Sequence, residues 1–482
     1  MPFLSSLYGS SLALLTDLYQ LTMAYSYWAT GCREREAVYH LFFRNAPFGG
    51  DIAVAAGLET AVEFIERLRY STDDLDYLAT LTGADGSALF SRGFLSYLGR
   101  MEFDCNVDAV PEGTAVFAGE PLMRVSGPII QCQLLETTLL NILNFQTLIA
   151  SKSARVRQAA GDDTVLEFGL RRAQGVDGGI SASRAAFVGG ADATSNVLAG
   201  KLFGIPVRGT HAHSWVMAFD SEVEAFDVYA EAMPHNAIFL VDTYDTLQGV
   251  QRAIEAGRAL RRRGFEMGGI RLDSGDLGEL AREARRLLDA AGFENARIVG
   301  SGDLDEFRIA AYKRAGAPIT VWGVGTKLVT GDRDSSVNGV YKLAAVRDPG
   351  QAWQYRMKLS ATPGKMTTPG ILQVRRHAQA GVPVADEIFD QGTVGAEHRR
   401  FKLDGADAAA EALPAADGHQ DLLVPVFRNG ERVYEPPELT RVREYAVAQF
   451  RLFAGVDTAH YPVGLEARLD QARERLIASA GA

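Results

Sequence analysis

The sequence has few cysteines, and this scarcity excludes two kinds of structural cross-link. Its 482 residues include three cysteines, Cys32, Cys105 and Cys132, an odd number that is not at metal-ligand spacing. Disulfide frameworks and structural zinc sites both need more numerous, regularly spaced cysteines. We therefore expect the thiols to be reduced and structural.

The sequence also lacks an excess of basic residues and any long hydrophobic run. Its formal net charge is -11, whereas proteins that coat nucleic acid need a basic surface. No apolar run reaches membrane-spanning length, and residues 1–20 lack the basic region and small-residue cleavage pattern of a signal peptide. We expect no nucleic-acid partner, no membrane association and a cytoplasmic location.

Familiar nucleotide-binding motifs are missing as well. There is no GxxxxGK[ST] loop, and GSGDLD at 300–305 has an aspartate in place of the third glycine of a dinucleotide fingerprint. Asp242 and Asp245 are separated by two residues, whereas the phosphoribosyl-pyrophosphate loop of the common phosphoribosyltransferases has adjacent acids. The chemistry of this chain must therefore be sought elsewhere.

The middle of the chain contains an alternation of apolar strands and amphipathic helices. The predicted strands are 164–168, 205–208, 237–241, 269–272, 296–299 and 319–322. Helical segments between most of them imply parallel pairing, so the pattern predicts an α/β barrel or an open sheet. Earlier in the chain, short apolar runs separated by turns at 107–130 favour a small antiparallel module.

Each predicted strand of the middle region is followed by a polar loop. In parallel α/β proteins, ligands bind where the carboxyl ends of the strands meet. Turn and capping chemistry explains the glycines, serines and aspartates of these loops, but not Arg171, Arg172, Arg271 and His213. The sequence therefore predicts a binding site at this edge.

Several loop residues have more than one possible role. His211 and His213 would share a face of a strand, but no nearby cluster completes a zinc site. Asp273 and Asp276 would suit Mg²⁺ or ribose hydroxyls, and either would equally suit the N-cap of the next helix. The segment 324–326 can present backbone N–H groups and a hydroxyl to a phosphate.

Taken in order along the chain, seven motifs resemble the nicotinate phosphoribosyltransferase family. They are TDLYQLTMAY at 16–25, FFRNAPFGG at 42–50, EFGLRRAQGVDG at 167–178, GTHAHSWVMAF at 209–219, RLDSGDL at 271–277, GVGTKL at 323–328 and KLSATPGKMTTPG at 358–370. The ILQV that follows the last motif departs from the more basic continuation typical of the family.

The resemblance implies a type II phosphoribosyltransferase of the α/β class. It implies an irregular α/β barrel with a flanking α+β domain built from N-terminal segments and a β-rich C-terminal portion. We accordingly predict a mainly N-terminal α+β domain at 1–150, a barrel carrying the active site at 151–345, and a β-rich and helical segment at 346–482.

The resemblance also implies a reaction in NAD biosynthesis. Nicotinate and 5-phosphoribosyl 1-pyrophosphate would give nicotinate mononucleotide, with coupled ATP hydrolysis through a phosphohistidine and with Mg²⁺. Such enzymes are usually homodimers with sites completed across the interface. The metal ligands are left unassigned.

The family's motifs assign roles to residues of this chain. His213 is similar to the transiently phosphorylated histidine, whereas His211 lies where the family tolerates other side chains. Tyr19 is similar to the tyrosine that stacks on the pyridine ring, from the neighbouring subunit. Thr210 and Arg271 resemble the pair that binds nicotinate.

Four further positions fall in matching motifs as substrate-binding residues. Thr326 resembles a contact to the phosphoribosyl phosphate. Arg171, Asp273 and Gly302 are also assigned to substrate binding, with roles that the motifs define less closely.

Two other functions compete with this interpretation. A nicotinamide phosphoribosyltransferase has the same fold class but binds a neutral amide. A catalytically silent sensor of phosphosugars would keep GVGTKL but would have no need for His213.

Overall fold

The structure is a computed structural model that describes residues 11–360, 365–393, 400–403 and 411–480. Part of KLSATPGKMTTPG and part of the C-terminal segment predicted at 346–482 lie outside the described residues. The α-helices are α1 (Leu18–Ala29), α2 (Leu58–Glu66), α3 (Thr72–Ala79), α4 (Arg92–Leu98), α5 (Ile129–Leu134), α6 (Glu136–Ala160), α7 (Gly175–Val188), α8 (Val197–Phe203), α9 (His213–Met217), α10 (Glu222–Ala232), α11 (Thr246–Arg262), α12 (Leu277–Ala290), α13 (Glu306–Arg314), α14 (Thr326–Val329), α15 (Leu439–Phe453) and α16 (Ala467–Ala480).

The β-strands are numbered in the same way along the chain. They are β1 (Glu36–Phe43), β2 (Ile52–Val54), β3 (Asn106–Ala109), β4 (Ala115–Phe117), β5 (Met123–Pro128), β6 (Thr164–Glu167), β7 (Ala193–Thr194), β8 (Ile238–Leu240), β9 (Gly269–Leu272), β10 (Arg297–Gly300), β11 (Val321–Val324), β12 (Gly339–Arg347), β13 (Gln354–Tyr355), β14 (Leu372–Gln379), β15 (Val382–Asp390), β16 (Arg400–Leu403), β17 (Glu411–Ala412), β18 (Gly418–Asp421), β19 (Val424–Arg428), β20 (Glu431–Arg432) and β21 (Val463–Glu466).

The chain divides into two compact units. Unit 1 combines Met1–Leu148 with Ser336–Ala482, and unit 2 is Ile149–Ser335. The expected division into domains at residues 150 and 345 stays a prediction.

Unit 2 contains a six-stranded sheet in the order β7-β6-β11-β10-β9-β8. All of its strand pairings are parallel, so the predicted alternation of strands and crossover helices is confirmed. Among the described residues, no backbone pairing joins β7 to β8. The sheet is therefore not closed, and the expected barrel is not confirmed.

The strand predicted at 205–208 is wrong as a regular strand. Only one isolated parallel bridge forms there, between Val207 and Thr194. The Arg208 N–H donates to the Thr194 carbonyl at 3.0 Å, but Pro206 has no N–H to contribute to a ladder. The strand that does form before this segment, β7, has two residues, which is too short to leave a periodic signal.

Aspartates fix the points where three helices of unit 2 begin. The side chain of Asp245 accepts from the backbone N–H of Gln248 at α11, and Asp305 accepts from that of Arg308 at α13. Asp276 accepts from two N–H groups at the start of α12. Such caps satisfy donors that the helix itself leaves unpaired, so this part of the loop chemistry is structural.

Unit 1 is built from both ends of the chain. Its largest sheet has the order β13-β12-β1-β5-β3-β19-β20, with antiparallel pairings throughout. The antiparallel pair predicted within 107–130 is present as β3 and β5, but it is an internal part of this sheet and not a separate module. A second sheet has the order β17-β16-β21-β15-β14-β18.

None of the helices in the described ranges combines the length and the apolar character that a bilayer crossing requires.

Candidate active site

The polar cluster of unit 2 forms where β8, β9 and β10 end. Parallel pairing aligns Leu240 with Arg271, and Leu272 with Gly300. The residues that follow these strands therefore meet at one edge of the sheet.

Arg271, on β9, is at the centre of this cluster. Its Nε donates to Ser301 Oγ at 2.8 Å, Nη1 to Thr210 Oγ1 at 3.4 Å and Nη2 to Asp273 Oδ1 at 2.7 Å. The guanidinium carbon lies 5.6 Å from the centroid of the Phe168 ring, within the range of a cation–π contact. These contacts fix the guanidinium plane.

Two N–H groups of Arg271 remain for another molecule. An arginine has five, and the described residues take one from each of its three nitrogens. One N–H on each terminal nitrogen is therefore unused by the described residues, and together they can donate to both oxygens of a carboxylate.

Asp273 is held in its charged form by its neighbours. Burial tends to raise the pKa of this carboxyl, but a hydrogen bond from Ser301 and the charge and hydrogen bond of Arg271 lower the pKa overall. Ser301 Oγ donates to Asp273 Oδ1 at 2.5 Å. The group is therefore an anion at neutral pH.

His213 lies at the start of the short helix α9 and faces two carboxylates. Its Nδ1 is 3.1 Å from Thr243 Oγ1, and its Nε2 is 4.0 Å from Asp242 Oδ1 and 3.9 Å from Asp273 Oδ2. The side chain is 40% exposed. One ring nitrogen is therefore engaged by a hydroxyl, while the other is beside the carboxylates and accessible.

Asp242, directly beyond β8, is buried with only half of its carboxylate paired. Oδ2 accepts from the backbone N–H of Asp273 at 2.9 Å and from Ser274 Oγ at 2.7 Å. Oδ1 is buried and has no hydrogen-bond partner among the described residues. A buried, unpaired carboxylate oxygen is costly, so this atom indicates a place for a cation or a donor.

A second buried carboxylate, Glu167, organises the loops after β6 and β7. It accepts from the backbone N–H of Gly169, from Ser183 Oγ at 2.8 Å and from Thr194 Oγ1 at 2.6 Å. Three segments are thereby tied to the end of β6. They include the turn that carries Arg171.

The structure brings five of the eight predicted site residues into contact with one another. They are Thr210, His213, Arg271, Asp273 and Gly302. Asp276, in contrast, is the helix cap described above, so of its two predicted roles the capping one is observed.

The other three predicted residues lie outside this group. Arg171 and Thr326 are both exposed on unit 2, in neighbouring loops, since the Phe168 N–H donates to the carbonyl of Val324 at 2.8 Å. Tyr19 belongs to unit 1, where its side chain on α1 is 49% exposed.

Sequence reasoning missed several residues of the cluster. The sequence patterns assign no role to Thr243, Ser301 and Phe168, and they mark Asp242 only by a spacing to Asp245 that differs from a phosphoribosyl-pyrophosphate loop. A usable signal did exist, because each of these residues lies within three positions of the end of a parallel strand.

Gly302 allows two loops of the cluster to approach closely, and we predict that Gly302→Ala is strongly destabilising. Its φ is 91°, and a Cβ there would overlap the backbone carbonyl oxygen of Asp273. An alanine at 302 would be strained by the positive φ, and its Cβ would overlap the Asp273 carbonyl. The two effects together should lower the free energy of unfolding by about 3 kcal/mol, measured by urea unfolding.

Gly275→Ala is the matched control. Gly275 has a φ of 79°, but a Cβ there would meet only the flexible end of Leu280, at 2.9 Å. We expect a loss of about 1 kcal/mol from backbone strain alone. An equal loss in both variants would show that the close approach at Asp273 is unimportant.

Comparisons with known proteins agree on one family. Residues 14–144 match the family model described as the nicotinate phosphoribosyltransferase (NAPRTase) N-terminal domain. The chain is 42% identical to nicotinate phosphoribosyltransferase of Bacillus subtilis (strain 168) over 442 residues, which are 90% of this chain and 88% of the relative. It is 39% identical to the Homo sapiens nicotinate phosphoribosyltransferase over 415 residues, 74% of this chain and 75% of the relative.

The fold agrees with the sequence comparison. The crystal structure of human nicotinic acid phosphoribosyltransferase matches with a TM-score of 0.83 and 32% identity, over 96% of this chain and 99% of that chain. This chain therefore belongs to the nicotinate phosphoribosyltransferase family.

Proposed function

We propose that the protein joins nicotinate to the ribose of 5-phosphoribosyl 1-pyrophosphate, giving nicotinate mononucleotide and pyrophosphate for NAD biosynthesis. The ring nitrogen of nicotinate forms a bond to ribose C1 as the bond from C1 to the pyrophosphate oxygen breaks. The observation that carries this proposal is the pair of unused N–H groups on Arg271, beside the Thr210 hydroxyl. We place the enzyme in the cytoplasm on the sequence grounds given above.

Arg271 and Thr210 suit the carboxylate of nicotinate. A guanidinium can bind a carboxylate through two parallel hydrogen bonds, and its plane is already fixed by Ser301 and Asp273. Preorganisation lowers the entropy lost on binding. The neutral amide of nicotinamide has one oxygen instead of two, so it cannot accept the two parallel hydrogen bonds from the guanidinium. The site therefore favours the acid.

Arg171 and Thr326 are proposed to contact the phosphate groups of the other substrate. Both are exposed beyond the ends of neighbouring strands, β6 and β11. A guanidinium and a hydroxyl are suitable donors to phosphate oxygens.

Magnesium is part of the proposal, with Asp242 and Asp273 as the carboxylates that would hold it. In the described ranges, no group of three or more His, Cys, Asp or Glu side chains is arranged to hold a metal ion. Mg²⁺ is commonly bound by one or two carboxylates together with substrate phosphates, and the unpartnered Oδ1 of Asp242 fits that arrangement. When bound, the ion would offset the charge of the departing pyrophosphate.

ATP is proposed as a co-substrate, with His213 as the phosphoryl acceptor. Nε2 would attack the terminal phosphorus of ATP, the bond from that phosphorus to ADP would break, and water would later release the phosphoryl group as phosphate. The contact from Nδ1 to Thr243 at 3.1 Å supports Nε2 as the attacking atom. The nearby carboxylates would stabilise positive charge on the ring after attack.

A homodimer is proposed as the working form, with Tyr19 stacking on the nicotinate ring of the neighbouring subunit. Unit 2 exposes large apolar side chains at the starts of α7 and α8, with Val176 79% and Val197 71% exposed. The two helices are in contact near these ends, since Asn196 Nδ2 donates to the Gly179 carbonyl at 3.4 Å. Exposed large apolar groups on one part of a surface are typical of interfaces between subunits.

The function is tested by measuring product formation from nicotinate and from nicotinamide side by side, each with and without ATP. We expect nicotinate mononucleotide to form preferentially and ATP to increase its yield. Preference for the amide would contradict the proposal. Tight binding of substrate with no turnover would favour a sensor instead.

We predict that Arg271→Lys weakens the use of nicotinate. Lysine cannot reproduce the two parallel hydrogen bonds, so kcat/KM for nicotinate should fall about 10- to 100-fold. Steady-state kinetics check this, with Arg258→Lys on the exposed face of α11 as the control. Equal effects of the two variants would remove Arg271 from the carboxylate site.

We predict that His213→Asn abolishes ATP coupling but leaves slow, ATP-independent synthesis. Asparagine has no ring nitrogen that can accept a phosphoryl group. The ratio of ADP to nicotinate mononucleotide is the measurement, and the exposed His235→Asn is the control. If the His213 variant still hydrolysed ATP in step with product, the assignment would be wrong.

A further inference from the structure

The two ends of the parallel sheet in unit 2 are linked by side chains. The segment that bridges to β7 at Val207 continues directly into the loop 208–212, and β8 is the opposite end of the sheet. Asn236 Nδ2 donates to the Gly209 carbonyl at 3.2 Å, and Leu240 N–H donates to His211 Nε2 at 3.2 Å. Side-chain hydrogen bonds thus occupy the position where a closed sheet would have a backbone ladder.

The bond to Leu240 requires one particular state of the His211 ring. Nε2 must keep its lone pair to accept an N–H, so the ring proton is on Nδ1. Nδ1 is 3.4 Å from the Ala212 carbonyl, a long contact that suits a weak donor. Burial lowers the pKa of His211 to about 4, although that backbone carbonyl opposes the shift, so the ring is neutral at pH 7.

The ring is enclosed, so water cannot replace it. His211 is 8% exposed, and its centroid is 4.8 Å from that of Tyr229 and 6.0 Å from that of Phe226. Loss of the acceptor would leave the Leu240 N–H buried without a partner. An unpaired buried donor costs more than the hydrogen bond itself contributes.

His211 also fixes its neighbours in the chain. Its carbonyl accepts from Thr210 Oγ1 at 3.2 Å, and that same hydroxyl is the one that Arg271 contacts. His213 follows two residues later, at the first position of α9. The side chain of His211 thus anchors residues 210–213, with the proposed substrate contact Thr210 directly before it and the proposed phosphoryl acceptor His213 two residues after it.

We propose that His211 is a positioning residue: its neutral ring attaches the loop bearing Thr210 and His213 to the edge of β8. The catalytic part of this inference depends on the function proposed above, whereas the hydrogen bond to Leu240 does not. In this role His211 needs no contact with a substrate. It acts through the placement of Thr210 and His213.

Two substitutions separate the hydrogen bond from the packing of the ring. His211→Phe keeps an aromatic ring against Tyr229 and Phe226 but removes the acceptor. His211→Gln keeps an acceptor at a similar reach but loses the ring. We expect kcat/KM for nicotinate to fall about 10- to 100-fold in the Phe variant, since displacements near 1 Å have such effects, with the KM for nicotinate raised. The Gln variant should stay within about threefold of the native protein.

Amide hydrogen exchange of the segment containing Leu240 reports on the bond directly. Exchange at Leu240 should be at least about tenfold faster in the Phe variant and close to native in the Gln variant. A thermal unfolding curve for each variant establishes that it is folded. If the Gln variant were as impaired as the Phe variant while both were folded, the ring and not the acceptor would matter, and the proposal would fail.

The tautomer provides a readout that does not depend on activity. In ¹⁵N spectra of the full-length protein at pH 7, with the His211 signals identified by their loss in His211→Phe, Nε2 should appear unprotonated and Nδ1 protonated. The opposite tautomer would overturn the proposal even in a fully active enzyme. If the native protein made no nicotinate mononucleotide, the proposed function would fail, but the tautomer and exchange results would still test the attachment.

Discussion

The parallel register of the unit 2 sheet is the constraint on which the candidate site depends. Leu240 is aligned with Arg271, Leu272 with Gly300, and Val324 with Glu167, so the strands end at nearly the same level. Segments that are far apart in the sequence therefore meet at one edge of the sheet. Arg271 can contact Thr210, 61 positions earlier, and Ser301, 30 positions later, only because of this alignment.

Charge balance explains why the cluster is built around one arginine. Asp242 and Asp273 both approach His213 Nε2, and two carboxylates at such short range repel each other and any incoming phosphate. Arg271 neutralises Asp273 at 2.7 Å, whereas Asp242 has backbone and hydroxyl donors but, in the described part of the chain, no ion-pair partner of comparable closeness. The remaining negative charge lies beside Nε2 of His213, where a cation is favoured.

The sequence predicted five of the six strands of the unit 2 sheet, all but β7, and the edge at which polar residues meet, because both follow from local patterns. Apolar runs and polar loops mark strand ends, and parallel pairing follows from the crossovers. Closure of the sheet could not be predicted, because it depends on whether the edges of distant strands come within hydrogen-bonding distance. Pro206 and the two-residue length of β7 also conceal where the sheet ends.

The roles of individual side chains were harder to predict than their neighbourhood. The partners of Asp242 are Asp273 and Ser274, about thirty positions away, so no local pattern marks this residue as different from Asp245, which caps a helix.

His211 and His213 also show that the surroundings of a side chain, and not the local sequence, decide its role. They are two residues apart in one loop and chemically identical, yet one is 8% exposed and accepts from the backbone of an edge strand. The other has a 40% exposed side chain that faces two carboxylates. Burial removes the charge from the first ring and makes it a fixed acceptor, whereas the exposed second ring is the one proposed to accept a phosphoryl group. The environment, which the fold supplies, thus gives two identical side chains of a single motif different surroundings.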